Sequence, residues 1–324
     1  MYKVSVVIPV YGVEKYIERC ARSLFEQTLD DIEYIFVNDC TPDSSISILN
    51  KVIKEYPSRI NQVKIINHNR NLGLPQARKS GILQSTGEYL IHCDSDDWVE
   101  KNAYQLLWEK AKEKDCDVVF CDFYHSDGTT HKHQHRYFGN FNKDTILLYV
   151  VRKVLWSLCG ALVKTKIYKN NEFYFPTNNN FEDLVLMTQI ILSSSKYEHI
   201  PIPLYYYYNN QKSMSKILDV DAIIKRLNDA IVNSSFVVNY LINNNYKHTK
   251  DISLILKLQS RYILSSITNQ QKYYNMWFKV YPEVDNEIFI FNKNIPFSFK
   301  IHYWAVKLRI FDNLILIQNR FNRI

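Results

Sequence analysis

The sequence predicts an α/β protein: a Rossmann-like, mostly parallel sheet flanked by helices, followed by a helical C-terminal extension. Three observations predict it. Apolar runs rich in β-branched residues alternate with segments of helical period over the first hundred residues. Cap and turn residues punctuate each change of period. From about residue 217 the chain turns helical and aromatic, with few glycines. Strand–helix alternation implies right-handed crossovers and a sheet covered on both faces.

Each element has its own reason. "VSVVIPV" (4–10) is continuously apolar, as a strand buried on both faces must be. "EKYIERCARSLFEQT" places Tyr16, Ile17, Cys20 and Leu24 at helical spacing. "IEYIFVND" (32–39) is a second strand, and "DSSISILNKVIKEYP" a helix with Asp43 or Ser44 as N-cap and Pro57 beyond its end. "QVKIINH" is a third strand. "LPQARKSGILQSTG" is a helix with Pro75 in its first turn and Gly87 at its exit, and "EYLIHCD" is a fourth strand. Further on, "KNAYQLLWEKAKEK" reads as a helix, "CDVVFCDFY" as a strand and "HSDGTTHKHQHRYF" as a hairpin turning at Asp127-Gly128. "FEDLVLMTQIILSSS" is a helix, "PLYYYYNNQKSMS" a strand and polar loop, and "FKIHYWAVKLRIFDNLILIQNRF" one long tail helix. The reading gives an α/β domain over residues 1–215, divisible at 98/99, and a helical region over 216–324.

Composition limits the function classes. A chain of 324 residues with 46% hydrophobic and 23% charged residues is a folded protein with a sizeable core. The longest apolar candidate, "AIVNSSFVVNYLI", is too short and too polar to span a bilayer, and the N-terminus lacks signal-peptide features. A cytoplasmic location is therefore expected. Six scattered cysteines without a C-x-x-C pair read as reduced core residues. The net charge of +7 is concentrated in the tail, where six Lys and Arg after residue 292 face Asp312 alone. Charge on an apolar tail helix, rather than along a groove, argues against a nucleic-acid partner.

In parallel sheets ligands sit beyond the carboxyl ends of the strands. Asp39, Asp94 and Asp96 all fall on that rim, with Pro9, Val10 and Tyr11. In "DSDD", Asp97 reads as the cap of the next helix. Asp94 and Asp96 precede the cap, and two carboxylates there suit Mg²⁺ or Mn²⁺ completed by substrate phosphates. Asp94 suits a ribose hydroxyl equally. Arg78 and Lys79, one turn into the helix after Gly73, face either an anion or solvent. Glu182 and Asp183 read first as helix-start acids, and otherwise as a general base. His131, His133 and His135 share one side of a strand. A solvated hairpin is the favoured reading over a metal site, because no Cys or acidic partner stands at ligand spacing. The tail has two apolar stripes, Trp304-Leu308-Phe311-Ile315 and Val306-Ile310-Leu314-Ile317-Phe321. The second stripe needs a neighbouring helix, a membrane surface or a second subunit.

Taken together, the motifs resemble glycosyltransferase family 2, the inverting nucleotide-sugar transferases of GT-A fold. The resemblance runs from about residue 3 to 215. "VSVVIPVYG…IEYIFVNDCTPDSS" is similar to the family's P-x-Y-N and D-D-G-S-x-D segments, "NRNLGLPQARKSG" to its N-x-G-x-x-x-A-R-N, and "LIHCDSDDW" to its D-x-D region. "FEDLVL" is similar to its E-D, and "PLYYYYNNQKSMS" to the strand and loop that follow.

The resemblance implies a nucleotide-binding half (1–98) and an acceptor half (99–215). Asp39, bordered by Pro9 and Tyr11, would hold the nucleotide base, and Arg78 would support the nucleotide end. Asp96 would bind Mn²⁺ or Mg²⁺, with Asp94 near the ribose or metal, and Asp183 would be the catalytic base. Cys40 replaces the family's glycine, and Asn38 precedes Asp39. Near Tyr208 the family's arginine is missing, with Ser213 and Ser215 as substitutes. The implied reaction moves a sugar from a nucleotide-diphosphate donor, UDP first, to a saccharide or lipid-linked saccharide in cell-surface polysaccharide synthesis. Residues 297–324 are the candidate contact with the inner face of the membrane. The glycine-rich opening of a sugar-1-phosphate nucleotidyltransferase is absent. The remaining rival is a non-catalytic nucleotide-sugar or membrane adaptor of the same fold.

Overall fold

The structure is a computed structural model that describes residues 2–136, 142–210, 219–286 and 289–311. It divides into two compact units, Met1–Lys143 with Ser157–Gln211, and Asp144–Trp156 with Lys212–Ile324.

In chain order the elements are β1 (Val4–Val10), α1 (Ile17–Phe25), β2 (Ile32–Asn38), α2 (Ser45–Glu55), β3 (Val63–Asn67), α3 (Leu74–Gln84), β4 (Tyr89–His92), β5 (Trp98–Val99), α4 (Ala103–Lys114), β6 (Val118–Ser126), β7 (His131–Gln134), α5 (Lys143–Lys153), β8 (Ala161–Lys164), α6 (Thr165–Lys169), α7 (Glu182–Ser193) and β9 (Tyr197–Tyr208). The first unit is built on one sheet in the order β3-β2-β1-β4-β8-β6-β9-β5, with β7 paired to β6. The pairs β1–β2, β1–β4 and β2–β3 are parallel, as the alternation predicts. Beyond them β8 runs antiparallel to both β4 and β6. β1 is buried along its whole length because both faces are covered. On one face α1 inserts Ile17, Cys20, Leu24 and Phe25. On the other, α3 approaches so closely that a Cβ on Gly81 would stand 2.3 Å from Val7 Cγ1.

Asp43 acts as the expected start signal of α2, accepting from the amide and hydroxyl of Ser45. The hairpin turns where expected, with Asp127 Oδ1 accepting from the amides of Thr129 and Thr130.

Three expectations need correction. Asp97 does not cap a helix, because α4 begins at Ala103 after Asn102. Its carboxylate instead clasps β9, accepting from the Tyr205 hydroxyl at 2.5 Å and the Tyr208 amide at 2.7 Å. Of the six cysteines, Cys40 is exposed and the other five are buried. The tail helix, α11 (Phe297–Lys307), ends well before residue 321, with Arg309 in the left-handed region at φ 59°. Leu314, Ile315, Ile317, Arg320 and Phe321 lie outside the described residues, as do Ser213 and Ser215.

In the second unit α8 (Val220–Asn243) packs on α9 (Thr249–Leu264), followed by α10 (Gln271–Lys279) and α11. Arg261 on α9 is buried; it pairs with Asp285 at 2.8 Å and lies 4.5 Å over the ring of Trp277. Residues 144–156, which the sequence reading kept with the first domain, join this unit. Gln259 donates to the Val151 carbonyl and Tyr246 to that of Asp144. Among the described residues no helix is long and apolar enough to cross a membrane.

Candidate functional site

The strand ends assemble the site. β2 delivers Asp39, whose amide donates to the Val10 carbonyl at the end of β1, and β4 delivers Asp94 two residues past His92. Asp39 is 3% exposed. Its two oxygens accept from the amides of Leu72 (2.8 Å) and Gly73 (2.9 Å), and Oδ1 also meets His68 Nδ1 at 2.7 Å. Asp39 therefore shapes the loop that launches α3. Gly73 sits at φ 88°, and a Cβ there would stand 2.8 Å from Asn179 Oδ1. Only glycine combines that backbone with that approach. Asn179 belongs to the Asn-rich loop that leads into α7, so the Asp39 loop and the start of α7 are in contact. Pro9 is buried in β1, and Tyr11 is half exposed just beyond it. Cys40 adopts φ 57°, the conformation in which the family's glycine costs nothing.

Arg78 is the centre of the acid cluster. Its side chain is fully buried, and its guanidinium donates to Asp94 Oδ1 at 2.9 Å, to Glu182 and to Asp183. The residue expected to support the nucleotide end is thus engaged by three carboxylates. The Asp94 side chain is 30% exposed and that of Asp183 24%, whereas that of Glu182 is 3% exposed. Burial works to raise both Glu182 and Asp183, and Arg78 opposes it on each. On Asp183, the charge and hydrogen bonds of Arg78 outweigh burial and hold the carboxyl below its ordinary range. On Glu182, burial wins over Arg78 and the charge of Asp183 adds to it, so this carboxyl is raised well above the ordinary range. The two carboxyls of the pair are thus pushed in opposite directions, Glu182 up and Asp183 down.

Asp96 follows Asp94 by two residues. Asn210 donates to its Oδ2 at 3.1 Å, and the Tyr16 hydroxyl meets the Asn210 carbonyl oxygen at 3.3 Å. Arg19, held 3.7 Å over the ring of Trp98, donates to the Asp96 backbone carbonyl. Burial, and then the charge of Asp94, raise the Asp96 carboxyl, against the hydrogen bond from Asn210. Two neighbouring carboxylates that offer only oxygen donors fit a hard divalent cation. The structure thus brings Asp94, Asp96 and Asp183 to one rim. It adds Glu182 as the charge partner of Asp183, together with His68, Tyr16, Asn210 and Tyr205. Tyr205 and Asn210 lay within the flagged "YYYYNN" segment, Tyr16 within the first helical spacing and His68 at the end of "QVKIINH", but none of the four was given a role at the site.

The hairpin histidines also need correction. Asp122, on the strand paired with β7, accepts from His133 and His135 at 2.8 Å each. An acidic partner is therefore present, supplied by strand pairing rather than by spacing along one strand.

Comparisons with known proteins give the family and the fold. EpsJ of Bacillus subtilis, an uncharacterized glycosyltransferase, is 42% identical over 37% of this chain, which spans 34% of that protein. The minor teichoic acid biosynthesis protein GgaB of Bacillus subtilis is 25% identical over 94% of this chain, which spans 35% of it. The chain thus spans about a third of the length of each relative. Staphylococcus aureus TarS 1–349 in complex with UDP-GlcNAc superposes with a TM-score of 0.60 at 19% identity, over 99% of this chain and 92% of that one, which makes the fold GT-A. "Glycosyl transferase family 2" matches residues 5–175, and the chain belongs to that family.

Proposed function

We propose that this protein transfers a sugar, with inversion, from a nucleotide-diphosphate donor to a hydroxyl of a saccharide or lipid-linked saccharide in cell-surface polysaccharide synthesis. The observation that carries the proposal is the single buried guanidinium of Arg78, which ties Asp94 on the metal side to Asp183 on the acceptor side. Asp183 takes the proton of the acceptor hydroxyl. The acceptor oxygen bonds to the anomeric carbon while the bond to the diphosphate oxygen breaks, and the diphosphate leaves with that electron pair. Because base and leaving group sit on opposite faces, the configuration inverts. Arg78 keeps Asp183 ionised at neutral pH and fixes its position; it acts through the acids as a positioning residue.

Asp96, with Asp94, would hold Mn²⁺ or Mg²⁺, whose charge offsets that of the departing diphosphate. Asp39, Pro9 and Tyr11 would border the nucleotide base, with Asp39 acting partly through the loop it orders. UDP is the first donor to test, because TarS is similar in fold and is found with UDP-GlcNAc. The acceptor class is supported by GgaB, a teichoic acid biosynthesis protein similar over nearly all of this chain. Contact with an anionic membrane surface is supported by exposed Phe297, Trp304 and Leu308 beside Lys300, Lys307 and Arg309. Turnover of UDP-sugars by Asp183→Asn tests the base. Donor binding is expected to persist while transfer falls at least about 100-fold; transfer at the parent rate would overturn the assignment.

A further inference from the structure

We propose that Asp122, His133 and His135 form a second metal site, selective for a zinc-class transition ion, that clips the β6–β7 hairpin and fixes Arg136. β6 and β7 pair in the register Tyr124↔His133, which carries His133 and then His135 back alongside Asp122. The strand pairing of β6 with β9 shifts register on both sides of Asp122, an irregularity of the kind that re-aims a side chain. The Asp122 side chain is fully buried, and one of its oxygens, Oδ2, is approached at 2.8 Å by both His133 Nε2 and His135 Nδ1. The two imidazole rings lie only 4.0 Å apart. The three donor atoms all stand within 4.8 Å of one another. Zinc bonded at about 2.0–2.1 Å needs tetrahedral ligands about 3.3 Å apart, a few tenths of an ångström beyond the contacts seen. Two imidazoles and one carboxylate suit zinc, whereas the all-oxygen Asp94–Asp96 pair suits magnesium or manganese.

The outer contacts match those that orient ligands in metal sites. The other oxygen of Asp122, Oδ1, accepts from His199 and from the Arg136 amide, each at 2.8 Å. The side chains of His133 and His135 are 32% and 49% exposed, which leaves the ion a path of entry and a solvent-facing position. Arg136 follows His135 directly and is buried, with its guanidinium donating to the Cys159 carbonyl at 2.6 Å and to that of Ser157. An ion at Asp122 therefore secures the segment that supports the 157–159 turn.

The test uses the full chain, dialysed against EDTA and titrated with zinc chloride against a chromophoric chelator. His133→Gln with His135→Gln removes two exposed ligands and spares buried Asp122; circular dichroism verifies its fold. The parent and Asp96→Ala are expected to bind one zinc at micromolar affinity or tighter, with a rise in the parent's thermal midpoint. The double variant is expected to lose at least 100-fold in affinity, and excess Mg²⁺ is expected not to compete. No zinc bound by the parent, or equal binding by the double variant, overturns the proposal. Loss of zinc in Asp96→Ala also overturns it, because the ion then sits at the rim.

Discussion

Arg78→Met isolates the electrostatic role of the cluster, because it removes the charge and keeps most of the buried stem. In the parent, Arg78 pairs with Asp94, Glu182 and Asp183 from a fully buried position. Breaking one side of a buried pair typically costs about 3–5 kcal/mol. Burial already pushes the Glu182 carboxyl up, so the cost falls mainly on Asp94 and Asp183. An adjacent opposite charge lowers a carboxyl by about 1–3 pH units, which is worth about 1.4–4 kcal/mol, consistent with the first figure. The sign follows from linkage. The folded parent holds Asp183 below its unfolded pKa, so this pairing stabilises above the unfolded pKa and is lost as pH falls through the folded one. In the variant the folded pKa is raised by burial, so the penalty is present at neutral pH and is relieved as pH falls through that raised value. Thermal midpoints measured from pH 8 to pH 4 are expected to show a gap between parent and variant that is widest at pH 7–8 and narrows with acid. Arg78→Lys, with one charge and no planar fork, is expected to fall between them. A gap of equal size at pH 4.5 and pH 8 would refute the electrostatic account and leave Arg78 a packing residue.

Three further outcomes follow from single observations. Gly73→Ala must accept both φ 88° and a contact of 2.8 Å with Asn179, and is expected to lose about 1–3 kcal/mol in chemical denaturation and to weaken nucleotide binding. Cys40→Gly relieves a left-handed non-glycine residue against a more flexible unfolded chain, so a gain of up to about 1 kcal/mol is expected from the same curves. Glu33 is buried and accepts from Ser5, Lys64, Thr86 and Gly87, contacts that outweigh its burial and depress its carboxyl. Its stabilisation is present above the unfolded pKa and is lost as pH falls through the folded one. Glu33→Gln is therefore expected to cost about 1.5–3 kcal/mol at pH 7 and progressively less in acid.

Much of the first unit was legible because burial on both faces leaves a plain mark. A strand such as "VSVVIPV" has no polar face to offer, and the rim followed once four such strands were ordered. Strand order placed Asp39, Asp94 and Asp96 on that rim, the motif resemblance gave Asp183 its expected role, and Arg78 joins Asp94 to Asp183. What spacing along the chain missed was set by partners distant in sequence. Asp97 sits where a cap belongs, yet its partners are Tyr205 and Tyr208, supplied by β9. Arg78 read as facing an anion or solvent, with support of the nucleotide end implied by the resemblance, and its partners Glu182 and Asp183 arrive from about a hundred residues later. The histidines of "HKHQH" had no acid at helical or strand spacing, because Asp122 comes from the opposite strand. The tail period ran on past Lys307, while the backbone turns at Arg309.

The most direct test of the central claim is calorimetric titration of the parent, Asp96→Asn and Asp183→Asn with UDP, then GDP and dTDP, in Mn²⁺ and again in EDTA. The account predicts that the parent and Asp183→Asn bind one nucleotide only with metal, and that Asp96→Asn loses that dependence together with most of its affinity. Binding that ignores EDTA, or that Asp96→Asn leaves unchanged, would contradict the assignment of the rim acids to a metal-held diphosphate.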